Sequence, residues 1–153
     1  MQLTDIYVRL GEERFAELLR SISVGRLKTF QLFDRIKTRL RMTKLSSESL
    51  RKAAPRLWAR LDEREEEFST ELAQAILISH MDMIQAVLNH LGIPHEEGFF
   101  AKDADVAGFL KPGWEKEVWD KFHTAYPAAT LLFYLNHLRW ETLKSEDVFV
   151  PEV

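Results

Sequence analysis

Residues 55–91 read PRLWARLDEREEEFSTELAQAILISHMDMIQAVLNHL, and how they fold decides the architecture. Leu57, Leu61, Phe68, Leu72, Ala75, Ile76, Met83 and Ala86 keep one helical phase through the acidic DEREEEF patch, which predicts one long helix. Ser69 marks the alternative boundary, because a serine there can cap a new helix. From Gln74 onward Leu77, Ile78, Ile84 and Val87 put apolar surface on nearly every side, leaving Gln74, Asp82, Gln85 and Asn89 as a narrow polar strip. Such a helix belongs in the middle of a bundle. Gly92, Ile93 and Pro94 then stop it: a residue suited to left-handed backbone, an apolar side chain that folds back, and a ring that cannot continue the helix.

Working toward the amino end, Gly11 followed by Glu12 and Glu13 opens a helix whose acidic first turn suits the helix dipole. Phe15, Leu18, Leu19 and Ile22 give it one apolar face, and Ser23, Val24 and Gly25 end it. Residues 26–42 are predicted as a second helix, with Phe30, Phe33, Ile36 and Leu40 on one stripe and Lys28, Arg35 and Arg39 opposite. Ser46 or Ser47 caps a short helix running to Ala54, where Pro55 is expected to break it.

Toward the carboxyl end, Asp103 is expected to cap a short helix reaching about Leu110, and Lys111, Pro112 and Gly113 form a turn. Trp114, Val118, Trp119 and Phe122 mark a further helical face. Pro127 suits the first turn of a last helix with Leu131, Leu135 and Leu138 as its stripe. Residues 145–153, SEDVFVPEV, read as an extended tail that docks or frays. Nothing reads as a strand, a repeat or a linker. The expected fold is therefore all-α: a single-domain antiparallel helical bundle over residues 1–153, built around a long central helix at about 55–91 with shorter flanking helices.

The chain of 153 residues suits one domain, which at this size buries roughly 70% of the surface its unfolded chain exposes. Seventeen aromatic residues and a hydrophobic fraction of 46% supply a core and set the chain apart from disordered proteins. The absence of cysteine removes disulfides, thiol catalysis and cysteine-ligated zinc. No apolar run nears the ~18 residues of a membrane span, and the opening MQLTDIYVRLGEERF lacks the pattern of a secretory signal. A cytoplasmic protein without a membrane role is the expectation.

The net charge of −3 conceals an asymmetry. Residues 1–60 carry 14 Lys and Arg against 6 Asp and Glu, whereas residues 61–153 carry 7 against 18. Residues 25–60 alone hold 11 basic and 2 acidic side chains. Such clusters attract anionic partners, and they serve equally well facing an acidic patch, here residues 62–67, within the fold or in a symmetric dimer. Lys28, Arg35, Arg39, Lys44, Arg51, Lys52 and Arg56 are the candidate anion- or partner-binding residues. The expected function is a non-enzymatic binding or regulatory module acting through macromolecular contacts, with a second copy of itself as one candidate partner and no cofactor.

Two alternatives come from other classes. Residues 26–54 resemble a helix-turn-helix in outline, which suggests nucleic acid, although the turn has no glycine and no sequence signature accompanies it. His80, His123 and His137, with Glu141 one turn beyond His137, could make a metal site inside a helical bundle, in a chain without HExxH or paired Glu-x-x-His motifs. His95, Glu96 and Glu97 in a loop, and Tyr134, His137 and Glu141 on one helix face, could serve acid–base work. Phe99, Phe100, Phe109, Trp114 and Trp119 could line an apolar pocket, core packing being the commoner use of aromatics. No phosphate-binding glycine loop, nucleophile elbow or dinucleotide fingerprint is present.

Overall fold

A computed structural model of the chain describes residues 1–61 and 66–151. Among these the protein is mostly helical, with one two-stranded hairpin. Its contacts divide it into two compact units, one of Gln2–Ser79 and one of Met1 with His80–Val153, each described by itself.

The first unit contains α1 (Leu3–Leu10), α2 (Glu12–Arg20), α3 (Val24–Thr29), α4 (Phe33–Arg39), α5 (Ser47–Arg60) and α6 (Glu66–Ile78). The stripe foreseen on α2 is buried, with Phe15, Leu18, Leu19 and Ile22 at most 2% exposed. It packs on α5, whose Leu50, Ala53, Ala54 and Leu57 form the matching stripe. Phe15 also meets rings on two neighbouring helices, edge-on to Tyr7 of α1 and tilted against Trp58 of α5, both at 5.6 Å between ring centroids. Burying leucine or phenylalanine side chains in this way stabilises by about 1.5–3 kcal/mol each, which is what holds two short helices together. On the other side of the unit α1 packs on α6 through a buried polar cluster. The Thr4 hydroxyl donates to Glu66 Oε1 at 2.6 Å and lies 2.6 Å from Ser69 Oγ, while Tyr7 OH donates to the Ser69 carbonyl at 3.1 Å. Glu66 also accepts from the Thr4 backbone N–H, so an α6 carboxylate serves the first turn of α1.

The second unit contains α7 (Met81–Leu91), β1 (His95–Glu96), β2 (Phe99–Phe100), α8 (Val106–Phe109), α9 (Trp114–Phe122) and α10 (Ala128–Leu143). Its centre is α10, in which every residue from Ala129 to Asn136 is buried. α8 and α9 pack on α10, and α9 also meets α7. The tail docks: Asn136, 1% exposed, accepts from the Phe149 N–H at 2.6 Å and donates to the Phe149 carbonyl at 2.9 Å.

Several expectations need correction. The helix expected over residues 55–91 does not run unbroken: α6 ends at Ile78 and α7 begins at Met81, while residues 62–65 of that stretch lie outside the described residues. At this break the Ser79 hydroxyl donates to the Ala75 carbonyl and accepts from the Ser23 N–H, and His80 leaves the helical region at φ −130, ψ 39. The apolar phase therefore persists across a break. Pro55, in turn, does not end α5, which runs through it to Arg60; Pro55 faces solvent, so water can reach the carbonyl that loses its N–H partner. The helix expected over 26–42 is two helices. α3 closes on Gln31 at φ 61, with Leu32 N–H bonded to Leu27 O and Gln31 N–H to Lys28 O, the paired bonds of a Schellman turn. α4 closes the same way on Arg41 at φ 54, through Met42 to Lys37 and Arg41 to Thr38. Neither turn uses glycine, so neither was announced. α8 is capped by Asp105, whose carboxylate accepts from Gly108 N–H, and not by Asp103. Finally, α1 and the hairpin were not foreseen; Glu97 and Gly98, both at positive φ, make its two-residue turn.

Candidate binding surface

The seven basic candidates separate into two groups. Arg35 and Arg39 lie one turn apart on α4 and face Glu67 and Glu71, one turn apart on α6. Arg39 Nε is 3.1 Å from Glu71 Oε2, Arg35 Nη2 is 3.5 Å from Glu71 Oε1, and the Arg39 guanidinium also meets the Glu67 carboxylate. Glu71 has a side chain only 12% exposed, so these contacts belong to the packing of α4 on α6. Of the acidic patch 62–67, one of the surfaces the basic residues could face, residues 62–65 lie outside the described residues; Glu67 pairs with Arg39. Glu71, the stronger partner, was missed. Its signal was the spacing of four from Glu67, which matches the spacing of the two arginines.

Arg35 is exposed as well, and so are the other five, none of which pairs with a carboxylate of α6 among the described residues. Lys28 on α3 holds its ammonium 5.0 Å from the Phe33 ring centroid, a cation–π contact. Lys44 lies between α4 and α5. Arg51, Lys52 and Arg56 share the solvent face of α5 with Glu48, Pro55 and Ala59, directly opposite the stripe buried on α2. Glu48 is 3.3 Å from Lys52 and 3.9 Å from Arg51. All three side chains are more than half exposed, so these contacts hold little energy and leave the cations available. Lys44 and Arg56 make no ion pair among the described residues.

The histidines do not assemble. No group of three or more His, Asp or Glu among the described residues could hold a metal ion. His80 sits at the start of α7, and His123 turns Nδ1 to the Trp119 carbonyl at 2.8 Å while stacking on that indole at 5.2 Å. His137 lies 3.5 Å from Glu141, between the rings of Phe133 and Trp140. Burial lowers its pKa to about 4 and outweighs the nearby carboxylate, so at neutral pH the contact is not an ion pair. Glu141 is itself raised, by burial first and against the opposing pull of Lys144. Tyr134 on the same face is raised by burial and then by Glu141, as Tyr7 is by burial and then by Glu66. Each shift favours the uncharged form, the signature of packing in a low-dielectric interior.

In the hairpin His95 Nδ1 accepts from Gly98 N–H at 3.1 Å, so Nε2 carries the proton and donates to Asn89 Oδ1 at 2.7 Å. That fixes its tautomer as a structural hydrogen-bonding one, with Glu96 and Glu97 exposed beside it. Phe99, Phe100 and Phe109 are exposed and Trp114 is buried, and Phe109 and Trp114 share the wall of one depression. No described helix is long and apolar enough to cross a membrane. No family model, curated protein or solved structure matches the chain, so its chemistry has to be read from its own side chains.

Proposed function

We propose that the chain is a non-enzymatic binding module that holds an acidic surface of a macromolecular partner on the outward face of α5. Arg51, Lys52 and Arg56 carry the contact, with Lys44 just before the helix and Lys28 on α3 adding positive field, while Arg39 and, more weakly, Arg35 pair with carboxylates of α6. What supports this is the position of three cations on the solvent face of a helix whose opposite face is fully engaged with α2. Their role is electrostatic attraction and orientation, which accelerates encounter and selects partners by sign of charge. The acidic half of a second copy, with 7 basic against 18 acidic residues over 61–153, is one surface of the required chemistry.

The test is a pair of anisotropy titrations, with labelled polyglutamate and labelled duplex DNA, between about 50 and 300 mM salt. Polyglutamate should bind at low salt and be released as salt rises. A duplex bound more than about tenfold tighter than polyglutamate would make the partner a nucleic acid. Failure of both to bind at low salt overturns the proposal. Light scattering under the same conditions shows whether the chain pairs with itself.

A further inference from the structure

Lys144 closes α10 in left-handed backbone at φ 54, and the tail then runs back along the helix it has just left. Asn136 reads the backbone of Phe149. Its Oδ1 accepts from that N–H at 2.6 Å, its Nδ2 donates to that carbonyl at 2.9 Å, and Nδ2 also donates to the Leu132 carbonyl at 2.9 Å. Exchanging the two amide atoms would break every one of these bonds, so the pattern fixes the orientation of the amide. One turn along α10, Arg139 Nη1 donates to the Asp147 carbonyl at 3.0 Å and Nη2 to Asp147 Oδ1 at 2.9 Å. Glu115 of α9, 3.5 Å from Arg139 Nε, engages the same guanidinium.

The demand for an extended peptide sits in the helix. Asn136 is buried, and an amide left there without its partners costs about 1–3 kcal/mol, while the Arg139 side chain is only 14% exposed. The segment that meets this demand is less committed, with the Asp147 side chain 79% exposed and Val150 exposed. Backbone N–H and C=O groups are common to every peptide, so what the site selects is a carboxylate two residues ahead of the clamped backbone.

We propose that this flank of α10 is a docking site for an extended acidic segment of a partner protein, and that residues 145–151 occupy it in cis. The partner is another protein and not a second copy, because a tethered segment acts at an effective concentration of about 1 mM, against which the same segment on a dilute second copy gains nothing. A partner that adds contacts of its own displaces the tail. The site uses none of the α5 cations and stands independently of that surface.

The probe is a fluorescein-labelled peptide of residues 145–151, SEDVFVP. The host is the full chain with Asp147→Ala and Phe149→Pro, which remove the carboxylate and the N–H that hold the tail in cis. Anisotropy should show saturable binding with Kd below about 1 mM, at least about fivefold tighter than to the unaltered chain. Alanine in place of the peptide's aspartate should weaken binding about threefold, and Asn136→Leu in the host about tenfold. The side-chain amide resonances of Asn136 should shift on peptide addition, a reading that does not depend on the Asn136→Leu variant keeping its fold. Binding that fails to saturate by about 2 mM, equal affinity for the unaltered chain, indifference to the peptide's aspartate or an Asn136 resonance that stays put overturns the proposal. A concentration-dependent dimer of the unaltered chain that Asn136→Leu abolishes overturns the choice of partner and gives the site to a second copy. Replacing Arg51, Lys52 and Arg56 with glutamine should leave peptide affinity unchanged; a loss there would put the peptide on α5 and overturn the assignment to α10.

Discussion

Glu71→Gln is the sharpest probe of the division between structural and displayed cations. The substitution keeps the shape of the side chain and removes its charge from beneath two arginines. Arg39 Nε at 3.1 Å is the main partner, with that arginine's side chain 35% exposed; Arg35 at 3.5 Å is 56% exposed and contributes less. A charge-assisted hydrogen bond contributes about 1.5–3 kcal/mol when shielded. Discounting for solvent at Arg39 leaves about 1 kcal/mol, and the exposed Arg35 pair adds at most a few tenths. The expected loss is thus about 1–1.5 kcal/mol, or a fall in Tm of about 2–5 °C for a chain of this size. Thermal and urea unfolding followed by circular dichroism measure it, and a double-mutant cycle with Arg39→Gln should return a coupling of about 1 kcal/mol. The combined Arg51→Gln, Lys52→Gln and Arg56→Gln variant should change stability by no more than about 0.5 kcal/mol per site, because those side chains stand in water. A Glu71→Gln loss below about 0.3 kcal/mol, with no coupling to Arg39, would show that the arginines are not held from α6.

Three further outcomes follow from the same geometry. His137 has its pKa depressed to about 4 by burial, so the unfolded chain takes up the proton first as pH falls; the stabilisation is complete above about pH 6.5 and declines toward pH 4, by about 2 kcal/mol at pH 5 in urea unfolding, and His137→Phe should flatten that slope. Glu141, raised instead, opposes this, since its contribution is present at acid pH and is lost as pH rises through its folded value. Gln31→Gly and Arg41→Gly should each stabilise by about 0.5–1 kcal/mol, because both positions have positive φ at the end of a Schellman turn, where glycine carries no Cβ penalty; an unfolding midpoint that drops in either variant contradicts the turn assignment. Asn136→Leu removes both tail bonds at Phe149 and should raise amide exchange and protease cleavage in residues 145–151 well before α10 itself opens.

The helical class and most of the buried stripes were legible because apolar spacing survives whatever happens at the helix ends. Phe15, Leu18 and Leu19 on α2 and Val118 and Phe122 on α9 are buried as their spacing implied. Breaks were harder. Periodicity carried across Ser79 and His80, because the residues on either side kept phase while a serine hydroxyl took the last-turn carbonyl. The ends of α3 and α4 went unseen because Gln31 and Arg41 occupy positions where glycine is the usual signal. Pro55 erred in the opposite direction, since a proline on a solvent face costs a helix less than one in its packed interior. Of the candidate surface, its charge was legible and its partition was not. Which arginine is consumed by packing depends on α4 meeting α6, a contact between residues 32 positions apart, Arg39 and Glu71. The His90 and Glu117 pair, on the wall of the same depression as Phe109 and Trp114, was invisible for the same reason, being 27 positions apart.

The most direct measurement compares two variants against labelled polyglutamate at low salt. One replaces Arg51, Lys52 and Arg56 with glutamine, and the other replaces Arg35 and Arg39. Affinity should fall more than about tenfold in the first and less than about threefold in the second, once the folded fraction of each is taken into account. Equal losses, or a larger loss from Arg35 and Arg39, would contradict the assignment of partner binding to the outward face of α5.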